Sequence, residues 1–355
     1  MPYNQLLKED LHHVFINTID LWSFLDNKSI FITGGTGFIG CWLLESLLYV
    51  IERKKKDIKV TILTRNHETF KLKVPHLAND PYLKFIEGDI RDFEYPSGDF
   101  DYIIHAATDS STGLDKTNPL LMFDTIVQGT RRTLDFAAQK EVSKFLFISS
   151  GAVYGKQPTD ITHITEDYIG APDLNDPRSV YGEGKRSAEL LCALYSKKFG
   201  IETMIARCFA FVGPYLPLNI HFAIGNFIND GLKGAPIYVK GDGTPIRSYL
   251  YAADLVIWLW TILLKGKSIF PYNVGSSSEI NIQSLAEITS SHFKLKQDII
   301  ISKRLVIGKQ PERYVPSIKR AEKELHLRQI IDLHDSIEKT INYQKRSNKI
   351  NKSDN

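Results

Sequence analysis

The sequence predicts an α/β protein: a doubly wound parallel sheet with a smaller C-terminal substrate lobe. Three observations carry this expectation. Short apolar runs alternate with helical stretches as far as Arg207, a glycine turn directly follows the first run, and the texture changes after Arg207. A length of 355 residues, 43% hydrophobic and 24% charged, suits one large α/β domain or two closely associated ones.

Residues 1–28 place Leu11, Val14, Phe15, Leu21 and Leu25 at roughly helical spacing and are read as a helical extension packed on the main domain. Ser29–Thr33 is a short apolar run leading straight into glycines, as a strand buried on both faces does. A helix follows from Phe38 to about Arg53, ending in the basic run Arg53–Lys56, a solvated helix end or an anion patch. Further strands are predicted near Val60–Leu63, Phe85–Glu87, Tyr102–His105 and Phe145–Ser149, with a long helix over Pro119–Gln139. Residues 29–207 therefore form the dinucleotide-binding domain expected of a Rossmann sheet. In 208–343 glycine and proline become frequent (Gly213, Pro214, Pro217, Gly225, Gly231, Gly234, Pro236), and this is the substrate-binding lobe, interleaved with the late strands. Residues 344–355 are polar and basic without periodicity, and a disordered tail is expected.

Composition narrows the classes. Lysine and arginine exceed aspartate and glutamate by 44 − 41 = 3, which gives no reason to expect nucleic acid or a membrane surface as partner. Cys41, Cys192 and Cys208 form no CxxC pair, which predicts a reducing, cytoplasmic setting and no metal site. His12 and His13 are adjacent on a helix and point apart, so they do not chelate together. The N-terminal residues lack a basic stretch followed by an apolar core, and no signal peptide is predicted. The apolar run Leu255–Leu264 is about half the length that spans a bilayer.

The turn Gly34-Gly35-Thr36-Gly37-Phe38-Ile39-Gly40 supplies what a dinucleotide's pyrophosphate needs. Gly34 permits the tight turn, Gly37 the close backbone approach and Gly40 the helix packing, with free amides at the helix start. The second strand ends in Thr64-Arg65-Asn66 with no carboxylate to meet a ribose diol. Arg65 pairs with a 2′-phosphate or merely stacks on adenine, so NADP(H) is favoured and NAD(H) stays possible. Asp89 and Ile90, after the third strand, are placed to meet the adenine.

Tyr181 and Lys185 stand four residues apart on one helix face. A free phenol titrates near 10, so proton transfer at neutral pH needs a cation beside it, and Lys185 is that cation. Ser150 ends the fifth strand 31 residues earlier, where ligands of a parallel sheet bind. Its hydroxyl suits a substrate oxygen that Tyr181 protonates. His105 is read as a wall of the cofactor pocket and Cys208 as a buried thiol.

From Ser29 to Leu327 the chain resembles the extended short-chain dehydrogenase/reductases, the sugar-nucleotide epimerase/dehydratase family. The resemblance rests on GGTGFIG, Gly88–Ile90, His105-Ala106-Ala107, SSGAVYG at Ser149–Gly155, YGEGK at Tyr181–Lys185, and the stretch Gly241–Leu255. It implies that Ala106 and Ala107 lie at the cofactor and that Arg247 binds the diphosphate of a nucleotide sugar, helped by Arg313. Asn226 and His221 are candidates for contact with diphosphate or sugar. It also implies a homodimer through Pro119–Gln139 and Val180–Phe199.

Several positions depart from the family. The 4,6-dehydratases carry an Asp-Glu pair where this chain has Gly151 and Ala152, and the related glucuronate decarboxylases also keep a glutamate there. Neither Gly151 nor Ala152 can move a proton. The family's usual asparagines are Ile126 and Ala210 here. The expectation is an NAD(P)H-dependent reductase of a nucleotide-linked 4-keto-6-deoxyhexose, first guess dTDP-4-dehydro-6-deoxyglucose, serving deoxysugar supply for surface polysaccharide such as O-antigen. A nucleotide-sugar 4-epimerase is the alternative, and a non-catalytic nucleotide-binding protein a weaker one.

Overall fold

The computed structural model describes residues 3–108, 117–220, 222–294, 297–306, 308 and 310–353, the last six as backbone. Its strands are β1 (Ser29–Thr33), β2 (Lys59–Thr64), β3 (Leu83–Glu87), β4 (Tyr102–His105), β5 (Lys144–Ser150), β6 (Glu202–Cys208) and β7 (Phe211–Val212). They continue as β8 (Ile237–Val239), β9 (Ile246–Arg247), β10 (Leu250–Tyr251), β11 (Pro271–Val274), β12 (Ile280–Asn281), β13 (Ile299–Ile301) and β14 (Arg313–Tyr314). The helices are α1 (Lys8–Asn17), α2 (Phe38–Lys54), α3 (His67–Lys73), α4 (Pro75–Ala78), α5 (Pro119–Gln139) and α6 (Val180–Phe199). They continue as α7 (Ala223–Leu232), α8 (Ala252–Lys265), α9 (Ile282–Ser291), α10 (Lys319–Leu325) and α11 (Leu333–Ser353).

Seven strands form one parallel sheet in the order β3-β2-β1-β4-β5-β6-β11, as the strand–helix alternation predicts. Alternation along β1 sends its side chains to two layers. Ile30 and Ile32 join the core with α2, α8 and the N-terminal extension, while Phe31 packs on the other face with Phe93, Phe100 and Phe136 beneath α5 and α6. Local signals set the helix ends. The Asn118 side chain caps α5 ahead of Pro119, and α6 stops at Gly200, whose φ is 74°. The order reverses between β1 and β4, and beyond the carboxyl ends of these strands a cleft of about 1960 Å³ opens.

The second lobe comes in two pieces, β7 to β10 and β12 to β14, and between them α8 and β11 return to the main sheet. Every residue of α8 from Ala252 to Leu264 is buried, so the longest apolar run is core. Among the described residues no helix is long and apolar enough to cross a membrane. In the extension, Leu11, Val14, Phe15 and Leu25 are buried, and Asp10 accepts hydrogen bonds from Tyr251 (2.6 Å) and Lys339 (2.8 Å).

One expectation is corrected. The stretch 344–355, read as a disordered tail, continues α11 as far as Ser353. The helix is anchored by Ser336, Ile337, Thr340 and Ile341, all buried, and once nucleated it propagates through the polar residues that follow. β6 also extends one residue past the expected boundary at 207.

Candidate active site

The glycine turn is shaped by its surroundings. Gly34 has φ of 70°, and a Cβ there would lie 2.6 Å from the backbone C and O of Ala106. A Cβ on Gly40 would stand 2.4 Å from the Gly34 carbonyl oxygen, so α2 packs against the turn through this glycine. Gly37 differs: a Cβ there would meet only the Gly34 oxygen, at 3.4 Å, on the side that faces the cleft. The arrangement leaves a cradle that a side chain would fill, below the amides that begin α2, and it fits an anionic pyrophosphate. Phe38, Ile39, Ala106 and Ala107 line the same cleft.

Arg65, Asp89 and Ile90 also line this cleft. The Asp89 carboxylate is held by Arg91, whose Nε and Nη2 donate at 2.8 and 3.0 Å, and that hydrogen bonding keeps its pKa below the usual range. Asp89 is thus a neutralised acceptor.

β5 delivers Ser150 and α6 delivers Tyr181 and Lys185 to the middle of the cleft. Burial pushes the Tyr181 phenol up to about 12, opposed by the nearby Ser150 hydroxyl. Lys185 donates to Thr108 Oγ1 and to the Ile148 carbonyl, both at 2.8 Å, and lies 5.9 Å from the centre of the Tyr181 ring. Burial lowers its pKa to about 8, which leaves it mostly charged at neutral pH. A neutral phenol beside an ammonium and a hydroxyl can protonate a carbonyl oxygen. Behind them, Arg207 forms a fork with Glu189 (Nη2 to Oε2, 2.7 Å) and also donates to Tyr154 (2.9 Å).

Asn226 on α7, Lys240, Arg247 on β9 and Arg313 on β14 line the same cleft. β14 lies parallel to β9 with Tyr314 opposite Arg247 and Arg313 opposite Ile246, so alternation along the strands sets the two arginines on opposite faces of this small sheet. Arg247 donates to the Ile246 and Glu312 carbonyls, while Arg313 pairs with Glu279. His221 lies outside the described residues. Cys208 and Ala210 line the cleft beside Tyr181. Ile126 is buried against Gly184, where it packs α5 on α6.

His105 is buried between Thr33 (2.8 Å) and Thr130 (3.0 Å), and burial lowers its pKa to about 3, so it stays a neutral packing group. His12 and His13 diverge, to Tyr49 and Asp254. Among the described residues no cluster of His, Cys, Asp and Glu could hold a metal ion. Sequence reasoning missed Thr108, the Arg207–Glu189 pair and the placement of Tyr314. The Tyr314 hydroxyl stands 2.7 Å from where a Cβ on Gly151 would be.

A Rossmann sheet with a phosphate cradle at its switch point, and a serine, tyrosine and lysine converging beyond it, define the extended short-chain dehydrogenase/reductase class. Within that class the chain belongs to the NAD dependent epimerase/dehydratase family, whose model matches residues 30–275. It is 30% identical to UDP-glucuronic acid decarboxylase 1 of Danio rerio over 90% of this chain and 73% of that one. It is 31% identical to UDP-glucuronic acid decarboxylase 6 of Arabidopsis thaliana, over 85% and 84%. Among solved structures, a DesIV double mutant, a dTDP-glucose 4,6-dehydratase from Streptomyces venezuelae with NAD bound, shares 25% identity. It superposes with a TM-score of 0.73 over 90% of this chain and 98% of that one.

Proposed function

We propose that this protein reduces the 4-keto group of a nucleotide-linked 4-keto-6-deoxyhexose, with NADPH favoured over NADH and a dTDP sugar as first choice. The observation that carries the reading is an intact Ser150, Tyr181 and Lys185 set beside Gly151 and Ala152, two positions with no group able to move a proton. Dehydration or decarboxylation at C5 and C6 needs such a group, and proton delivery to a 4-keto oxygen does not.

In this reading the glycine turn and the α2 amides hold the pyrophosphate, and Arg65 favours a 2′-phosphate because β2 ends without a carboxylate. Bound there, the nicotinamide supplies the hydride to C4. Arg247 and Arg313 hold the diphosphate of the sugar, and Asn226 contacts it nearby. Ser150 donates to the carbonyl oxygen, Tyr181 gives that oxygen its proton, and the Lys185 charge stabilises the phenolate left behind. A cytoplasmic homodimer in deoxysugar supply for surface polysaccharide completes the proposal. Its pairing face is α5 and α6, which expose Leu120, Phe123, Leu190 and Leu194.

The test mixes purified protein with a dTDP-4-keto-6-deoxyhexose and stoichiometric NADPH carrying deuterium at the transferring position. One NADP⁺ per product, with the label at sugar C4, supports the proposal. Isomerisation of a 4-hydroxy sugar nucleotide without NADPH consumption makes the protein an epimerase instead. Release of carbon dioxide from UDP-glucuronate would align it with the decarboxylases it resembles.

A further inference from the structure

The second lobe opens on a turn that carries tyrosine where its geometry calls for glycine. After β7 the chain reverses through Gly213-Pro214-Tyr215-Leu216, closed by the Leu216 amide donating to the Gly213 carbonyl at 3.2 Å. Proline at the second position holds φ negative, and Tyr215 at the third has φ of 68°. That combination is a type II turn, whose third position suits a residue without a Cβ. A left-handed tyrosine is strained, and such strain persists only where the surroundings enforce it. Two ties to α2 do so. Trp42 Nε1 donates to the Pro214 carbonyl at 2.9 Å, and the Tyr215 hydroxyl donates to the Glu45 side chain. Glu45 is fully buried, and it is held in turn by the Asn4 amide at 2.8 Å and by His76 Nε2 at 2.7 Å. Asn4 Nδ2 also reaches the Tyr215 hydroxyl, at 3.4 Å, and the Tyr215 ring meets Tyr343 of α11 edge-on at 5.6 Å. Tyr215, Leu216 and Pro217 all line the cleft.

We propose that Glu45 is a positioning residue: through the Tyr215 hydroxyl it locks the first turn of the second lobe in its left-handed form, and so fixes the wall against which a nucleotide sugar is seated. Glycine would permit the same shape and leave the turn free to abandon it, whereas a tethered tyrosine keeps one shape only. Burial keeps the Tyr215 phenol protonated, so it remains a donor. The N-terminal extension thereby takes part in shaping the cleft, because Asn4 holds both ends of the Glu45–Tyr215 tie. The inference rests on the reading that the second lobe receives a nucleotide sugar.

The full chain, saturated with NADP⁺, is titrated calorimetrically with dTDP and with UDP as wild type, Tyr215→Phe, Tyr215→Gly, Glu45→Met and the Glu45→Met, Tyr215→Phe double variant. A thermal melt accompanies each. Tyr215→Phe keeps the ring and the strain but loses the tie. The left-handed turn then becomes a minor population, and the dissociation constant for the nucleotide should rise about 5- to 30-fold. Glu45→Met should give a rise of the same size, and the double variant no more than either alone. Tyr215→Gly loses the ring and its packing and should melt below Tyr215→Phe. It should nonetheless bind the nucleotide more tightly than Tyr215→Phe, because glycine takes φ of 68° without strain. A residue that only stabilised the fold would give affinities in the order of the melts. That order, an unchanged affinity in Tyr215→Phe, or additive effects in the double variant would overturn the proposal. If the wild type binds neither nucleotide, the nucleotide-sugar reading fails, and crystal structures still decide the tether. In them φ at position 215 should stay positive in Tyr215→Gly and turn negative in Tyr215→Phe; a positive value in Tyr215→Phe shows that the tie holds nothing.

Discussion

Replacing Gly37 and Gly40 by alanine, one at a time, separates cofactor binding from folding. Gly37 has φ of −90° and ψ of −178°, a conformation alanine adopts without strain. Its added Cβ finds ordinary contact, 3.4 Å from one oxygen, so the folded protein loses nothing. The unfolded chain loses freedom, and Gly37→Ala should leave the melting temperature unchanged or raise stability by about 0.4–1 kcal/mol. The same methyl projects into the cleft, where the proposed cradle would bring the pyrophosphate against the backbone. Crowding of a fixed contact costs about 1–3 kcal/mol, which converts to a rise of about 5- to 150-fold in the dissociation constant for NAD(P). Gly40→Ala behaves oppositely. Its Cβ would stand 2.4 Å from Gly34 O and from the Gly35 Cα and C, backbone atoms on a turn that cannot yield. Overpacking there should cost about 1–3 kcal/mol of stability and lower the melting temperature by several degrees. Calorimetric titration with each cofactor and a thermal melt of the three proteins decide the matter. Undiminished cofactor affinity in Gly37→Ala, with the melt unchanged, would refute the assignment of the cradle.

Other expectations are shorter to state. Arg65→Asp should weaken NADPH by about 1.5–3 kcal/mol at most and spare NADH; equal use of both cofactors by the wild type would remove the basis for that preference. Tyr181→Phe should cost about 10²–10⁴ in rate with cofactor affinity nearly unchanged, as measured by steady-state turnover beside a binding titration. Lys185, with its pKa lowered to about 8, loses its charge as pH rises through that value, whereas Tyr181 at about 12 keeps its proton. A pH–rate profile should therefore fall above pH 8 while the phenol is still protonated, and a rate that stays flat to pH 10 would contradict the role given to Lys185.

The residues that were legible in the sequence are those whose meaning is local. Ser29–Thr33 followed by Gly34, Gly37 and Gly40 forms a strand, turn and helix within a dozen residues, and Tyr181 and Lys185 share a helix face by spacing alone. What stayed hidden depends on contacts between distant segments. Tyr314 reaches the space beside Gly151 through a two-residue strand with no periodicity of its own, and Lys185 finds Thr108 across 77 positions. The pairing of β14 with β9, which sets Tyr314 opposite Arg247, has no local signal. The helix through 344–353 was missed because its anchors, Ile337 and Ile341, lie upstream of the polar stretch that was judged.

The return of α8 and β11 to the main sheet has a consequence for anyone who would exchange substrate specificity between such proteins. The second lobe is not a cassette behind a single junction. Its two pieces are separated by a helix that puts Trp258 and Trp260 into the main core, Trp260 edge-on to Trp22 at 5.6 Å and hydrogen-bonded to Ser46 of α2. A chimera joined once, after β6, would carry a foreign α8 into a core shaped by the native extension and α2. Grafting needs four splice points, before β7, after β10, after β11 and after β14, and the insert must arrive as two strands of sequence that meet only when folded. The recipient then keeps its own hydrophobic interior and acquires only the donor's walls.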